Sequence, residues 1–264
     1  MSSTVSRRPG LARNVLNLLM GQISTTILTI ILSAVIARTL GPSDFGLLYL
    51  ITAVATFTYV LVDWGHGSYV IREVARNPER TGELMGTALA VRTGTALALI
   101  GPAVLIGWLL GYPIQTLGLI AGIIVAWLPV YLGLSFGWAF RGKERMEFDA
   151  LIGVTLKLLS LVFGVTTLYT GGRIPSLLLA QGAAGLVTLA VAVFIYHRLN
   201  LGKLRLTRRM ARELVVGGAP MVTMTVAVAF QPYMDANMLS RLSTPAVMGW
   251  YGAGAAFTST LIAP

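Results

Sequence analysis

Eight stretches of the chain are almost continuously apolar, and clusters of charge or turn residues separate them. They are Val15–Ala37, Gly46–Val70, Leu84–Leu110, Ile114–Trp138, Ala150–Tyr169, Ile174–Tyr196, Leu214–Leu239 and Val247–Pro264. Each is at or near the ~20 residues that a helix needs to cross a bilayer. None alternates with the period of two that an outer-membrane barrel strand requires. An open sheet would leave its backbone unsatisfied in lipid. The pattern therefore predicts an all-α polytopic membrane protein with about eight transmembrane helices.

Composition agrees with the pattern. Of 264 residues, 55% are hydrophobic and 11% charged, and the mean hydropathy is +0.76. A soluble domain carries about 25% charged residues, so an ordinary soluble protein is excluded, and a disordered chain needs the opposite balance. The chain has no cysteine, which rules out a disulfide framework, a thiolate metal site and a cysteine nucleophile.

The net charge of +10 is informative through its placement. If the N-terminus is cytoplasmic, the inner segments hold Arg7, Arg8 and Arg13; Arg72, Arg76 and Arg80; Arg141, Lys143 and Arg145; and Arg198, Lys203, Arg205, Arg208, Arg209 and Arg212. The outer segments hold only Arg38, Arg173 and Arg241. A bias of fifteen cations to three sets this orientation by the positive-inside rule and accounts for the basic charge without any nucleic acid. Ser6-Arg7-Arg8 ahead of an apolar run has the look of a twin-arginine export signal. That run is longer than a signal core, however, and seven more follow, so the pair reads as the flank of a permanent first helix.

The outer connections Gly111-Tyr112-Pro113 and Thr170-Gly171-Gly172-Arg173 are short turns, too small for a receptor or catalytic domain. The longest inner connection is His197–Glu213. Within it Leu206, Met210 and Leu214 recur every four residues among arginines, which fits either an amphipathic helix on an anionic leaflet or a solvated basic linker. The organisation expected is a first six-helix lobe over 1–196, a cytoplasmic amphipathic or basic linker over 197–213, and the start of a second lobe over 214–264.

A repeat supports the second lobe. Arg38, Pro42 and Gly46 recur as Arg241, Pro245 and Gly249, an offset of 203 residues, each set joining an outward-running helix to the next. Two parallel six-helix bundles are a transporter arrangement. The second bundle is expected to continue beyond Pro264.

Several residue groups then resemble one family. Ala37-Arg38-Thr39-Leu40-Gly41-Pro42 with Phe45-Gly46, after a helix carrying Asn14 and Gly21, resembles the opening of prokaryotic polysaccharide flippases of the multidrug/oligosaccharidyl-lipid/polysaccharide exporter superfamily. Asp63-Trp64-Gly65 with Arg72-Glu73, the loop Arg141-Gly142-Lys143-Glu144-Arg145, and Gly218–Pro220 with Asp235, Gly249, Tyr251 and Ala253 are similar to later parts of that family. The resemblance implies a two-lobed flippase in the inner membrane that moves lipid-linked oligosaccharide outward. It implies an anionic lipid-linked glycan as substrate, contact with membrane lipids and with glycan polymerase or glycosyltransferases, and no cofactor.

Charges inside spans are costly, roughly 3 kcal/mol each on insertion scales, and so are functional candidates. Arg92 in the third apolar stretch, Lys157 in the fifth and Asp63 in the second lie about 10–12 Å deep at 1.5 Å per residue. They read either as a cationic cavity for an anionic headgroup, with Asp63 orienting one cation, or as an Asp63–Arg92 structural pair with Lys157 snorkelling to the interface. His66 reads as a proton-sharing neighbour of Asp63 or as a structural residue. Asp235, after Pro232 in the seventh stretch, is a candidate for ion or proton coupling. A drug or small-molecule antiporter of the same superfamily is the alternative function. A membrane sugar or acyl transferase is a further class, but no phosphate loop, metal-spaced histidine pair or serine elbow supports it.

Overall fold

The structure, a computed structural model, describes residues 10–262. Ser6, Arg7, Arg8 and Pro264 lie outside the described residues, as does the N-terminal flank of the topology argument. The elements are α1 (Gly10–Asp63), α2 (His66–Arg76), a 3-10 turn (Pro78–Arg80), α3 (Thr81–Leu109), α4 (Ile114–Gly142), α5 (Met146–Tyr169), α6 (Ile174–Arg198), α7 (Arg208–Leu242) and α8 (Pro245–Ile262), with no strand among the described residues. Five helical stretches are long and apolar enough to cross a bilayer, or six when the bent α7 is one span.

The first two apolar stretches depart from the expected boundaries. No loop separates them: α1 runs through residues 38–45 and is interrupted only at Gly41, at φ 75° and ψ 173°. That left-handed region favours glycine, and Pro42 then fits the first turn of the second arm because its missing N–H has no helical partner there. Each arm, 10–40 and 42–63, is long enough to span. The second stretch does not continue to Val70. It stops at Asp63, Trp64 and Gly65 take positive φ of 44° and 70°, and the chain restarts as the amphipathic α2. This helix buries His66, Gly67, Val70 and Val74 and exposes Arg72 and Arg76.

The turns after α3 and α5 fall where glycine punctuation placed them. Gly111 and Gly171 have φ of 69° and 82°, and the Tyr112 N–H returns to the Gly107 carbonyl at 3.0 Å, a glycine-terminated helix end. At the start of the second arm, Asp44 pairs with Arg173 of the α5–α6 turn at 2.5 Å.

Two buried layers hold the bundle. One gathers Ile51, Tyr59, Ile120, Ile124 and Leu177 from α1, α4 and α6. The other gathers Val70, Leu84, Phe136, Phe140 and Tyr196 with Met210 and Leu214 of α7. Residues 201–207 carry no helix. The helix expected across Leu206, Met210 and Leu214 thus starts later: Met210 and Leu214 are buried on one face, while Leu206 lies before the helix and is 67% exposed. The parts of α7 over Arg208–Pro220 and Thr225–Leu242 meet at 72°.

The two copies of the repeat touch each other. A Cβ placed on Gly46 would strike the Pro245 carbonyl, and one on Gly249 would strike the Pro42 carbonyl. At the offset of 203 these are the same contact made twice in opposite directions, the pattern of a two-fold interface. Small residues let the two backbones approach this closely.

Candidate functional site

Asp63 ends the second arm of α1, and the positive-φ break after it turns the chain away. Its Oδ1 is thereby left facing α3, where the Arg92 Nη1 approaches to 3.1 Å. The same nitrogen donates to Ser135 Oγ at 2.9 Å, and that hydroxyl donates to the Tyr131 carbonyl at 2.7 Å. The guanidinium also lies over two rings, 5.3 Å from the centre of Tyr131 and 4.8 Å from that of Trp138. Arg92 is 4% exposed, against 30% for the Asp63 side chain. The arginine therefore points into protein rather than lipid, held by one carboxylate, one hydroxyl and two π faces.

Sequence reasoning did not find these α4 partners. The available signal is their spacing: Tyr131, Ser135 and Trp138 fall at i, i+4 and i+7, one face of a helix. Beside them, His66 is 2% exposed, and among the described residues neither of its ring nitrogens has a hydrogen-bond partner, nor does Arg92 Nε.

Tyr131 joins this ion pair to a cavity. Its ring stacks on Tyr59 at 4.0 Å and 4°, and the Tyr59 hydroxyl donates to the Ile124 carbonyl at 2.7 Å. Tyr131 also lines a cavity of about 420 Å³ enclosed by both arms of α1 with α4, α5, α6 and α8. Thr29, Ser33, Thr52, Ser160 and Gln181 supply polar groups to its wall, and Tyr49 and Trp127 supply rings. The Trp127 Nε1 is oriented by a 2.6 Å bond to Gln181 Oε1. Lys157 reaches this cavity from α5. Among the described residues it has neither an ion-pair nor a hydrogen-bond partner.

The three span charges are thus divided. Asp63 and Arg92 form one pair, Lys157 stands apart in the cavity, and Tyr131 borders both. Asp235 does not line the cavity and reaches it only through two aromatic residues. It accepts a 2.7 Å bond from the Tyr251 hydroxyl, and the Tyr251 ring meets the cavity-lining Tyr49 edge-on at 6.0 Å. The arrangement offers an anion one cation with hydroxyl, amide, aromatic and aliphatic surroundings, inside a cavity of about 420 Å³ between helices.

A family model described as "Polysaccharide biosynthesis protein" matches residues 11–262. A curated relative, "Putative O-antigen transporter" of Escherichia coli (strain K12), is 23% identical over 246 residues, which are 92% of this chain and 59% of that protein. The solved structure of the MATE multidrug transporter DinF-BH superposes with a TM-score of 0.74 at 14% identity over 98% of this chain and 63% of that one. A MATE in complex with MaD5 gives 0.60 at 16% identity over 96% and 64%. The chain thus spans about three fifths of the length of these relatives. The Escherichia coli relative and DinF-BH are described as transporters.

Proposed function

The chain belongs to the family of polysaccharide biosynthesis proteins, and on that premise we propose that the whole protein is a flippase for an anionic, lipid-linked oligosaccharide. The observation that carries the reading is Lys157, a cation without a partner among the described residues in a cavity whose wall mixes hydroxyls, an amide and aromatic rings with aliphatic side chains such as Leu32, Ile36, Val130 and Leu134. A charge in such surroundings attracts an opposite charge far more strongly than it would in water. A diphosphate supplies that charge, and sugar hydroxyls suit the threonine, serine and glutamine side chains of the wall. Arg92 and Asp63 serve the site through Tyr131, whose ring they hold in place. Asp235 acts through Tyr251 and Tyr49. Flipping needs no cofactor and no bond cleavage, only a polar cavity opened alternately to the two sides of the membrane.

The fifteen-to-three bias of cations supports a cytoplasmic N-terminus in the inner membrane. Since native cysteine is absent, single cysteines at Leu204 and Gly171 test the orientation. Gly171 is expected to label from outside intact cells and Leu204 only after permeabilisation; outside labelling at Leu204 reverses it.

The function is tested with the full-length protein in vesicles, supplied either with a fluorescent lipid-linked oligosaccharide diphosphate or with an organic-cation dye. Transfer of the lipid-linked sugar between leaflets, without dye transport, is the expected result. Dye transport alone would favour the drug-antiporter alternative and defeat this reading.

A further inference from the structure

The connection between α6 and α7 is an extended strap, and its location in the fold is defined by backbone contacts. The Arg205 N–H donates to the Gly82 carbonyl at 3.1 Å. Thr87 Oγ1 donates to the Arg205 carbonyl at 3.2 Å and accepts from the Thr207 N–H at 3.1 Å. The strap lies so close to α3 that a Cβ on Gly82 or Gly86 would collide with the backbone of Lys203 or Arg205. Gly82 to Thr87 are the first two turns of α3, where its apolar run begins. The strap is therefore fixed at the depth where hydrocarbon gives way to water. The adjoining segment Arg208–Pro220 meets the Thr225–Leu242 part of α7 at 72°, so the two parts do not share one axis.

The strap and the first turn of α7 are strongly basic, with Glu79 and Glu83 lining one cleft beside Lys203 and Arg205. Arg198, Lys203, Arg205, Arg208, Arg209 and Arg212 are all exposed. Glu213 is the nearest acid on this segment, and it is already engaged by Arg80 at 3.1 Å and Arg209 at 3.0 Å. Among the described residues, the other five cations have no acidic partner. Exposed Leu204 and Leu206 lie between them. Cations held beside exposed leucines at the polar–apolar boundary are the chemistry of an anionic lipid surface, since headgroups take the charge while the leucines enter the acyl boundary.

We propose that the strap and the first turn of α7, residues 198–209, are a docking surface for the headgroups of anionic phospholipids in the adjoining leaflet. The backbone bonds to α3 pre-order the cations, so binding does not have to order a loop. Docking would then tie the junction between the lobes to the membrane surface.

The test uses the purified full-length protein in detergent, titrated with phosphatidylglycerol against phosphatidylcholine, with bound lipids counted by native mass spectrometry. The triple change Lys203→Gln, Arg205→Gln, Arg208→Gln is expected to reduce the preference for phosphatidylglycerol by about fivefold per cation. Arg38→Gln, at the joint between the two arms of α1, is expected to leave it unchanged. A triple variant with the wild-type preference, or an Arg38→Gln variant that loses as much, overturns the proposal. Should the triple variant fail to fold, the wild type at 1 M salt decides, because the Debye length shrinks from about 8 Å to about 3 Å. Preference must then fall, and its persistence is refutation. Displacement of the lipid by excess inorganic phosphate would mark a free-anion site instead, and capture of an acidic protein with no lipid preference would mark a protein interface. Either outcome overturns membrane docking.

Discussion

Asp63→Asn in the full-length protein is expected to lower folding stability by about 3–5 kcal/mol, the cost of stripping one partner from a buried ion pair. The asymmetry of the pair makes the aspartate side the more sensitive. Arg92 is 4% exposed while the Asp63 side chain is 30% exposed, so removing the carboxylate leaves the deeper charge alone. A guanidinium cannot shed its proton to escape, whereas a stranded carboxylate can take one up. Arg92→Met is therefore expected to cost less, by roughly 1–2 kcal/mol. The double change Asp63→Asn with Arg92→Met is expected to recover much of the loss, because two neutral groups leave no buried charge. Thermal unfolding in a single detergent measures all three. Equal melting temperatures for wild type and Asp63→Asn would mean that the pair holds nothing, and that Ser135, Tyr131 and Trp138 fix the arginine without it.

Lys157→Met is expected to act in the opposite way. Flipping of a lipid-linked diphosphate should fall by at least tenfold, with abundance and melting temperature equal to or above those of wild type. A cation within a span costs roughly 3 kcal/mol, and among the described residues Lys157 has no acidic partner to offset that cost. A thioether of similar reach removes the cost and the anion's partner together. Lys157→Arg should retain part of the transport because the charge survives, though the broad planar fork differs from a compact ammonium. Normal transport by Lys157→Met, at normal abundance, removes the cavity from the substrate path. The two predictions separate a residue that holds the fold from one kept for its charge.

The sequence disclosed features carried by strong local signals and concealed those decided by tertiary contact. The turns at Gly111 and Gly171 were legible because glycine there has a specific conformational role. The depth of Arg92 and its pairing with Asp63 were legible because a charge in an apolar run must find a partner. The break after Asp63 was hidden, since the apolar run continues through Trp64 to Val70 and only Arg72 and Arg76 betray the change to an amphipathic helix. The late start of α7 was hidden for a related reason. Leu206 keeps the four-residue spacing of Met210 and Leu214, but the backbone of residues 203–207 is claimed by α3, whose Gly82 and Thr87 offer it hydrogen bonds. The separation of Lys157 from Arg92 could not be read from depth along a helix, because depth gives a layer and not a direction around the axis.

The reciprocal seat of Gly46 and Gly249 also fixes an order of assembly. The two glycines are 203 residues apart in the chain, and at a synthesis rate of about 5–20 residues per second their emergence is separated by roughly 10–40 s. Throughout that interval the second arm of α1 sits in the membrane with its close-contact face unfilled, while helices from α3 to α6 are delivered around it. The first lobe must therefore keep a backbone-wide slot open beside Pro42 and Gly46 until α8 is made. Premature occupation of that slot, by lipid or by another apolar helix, would block the seat of α8.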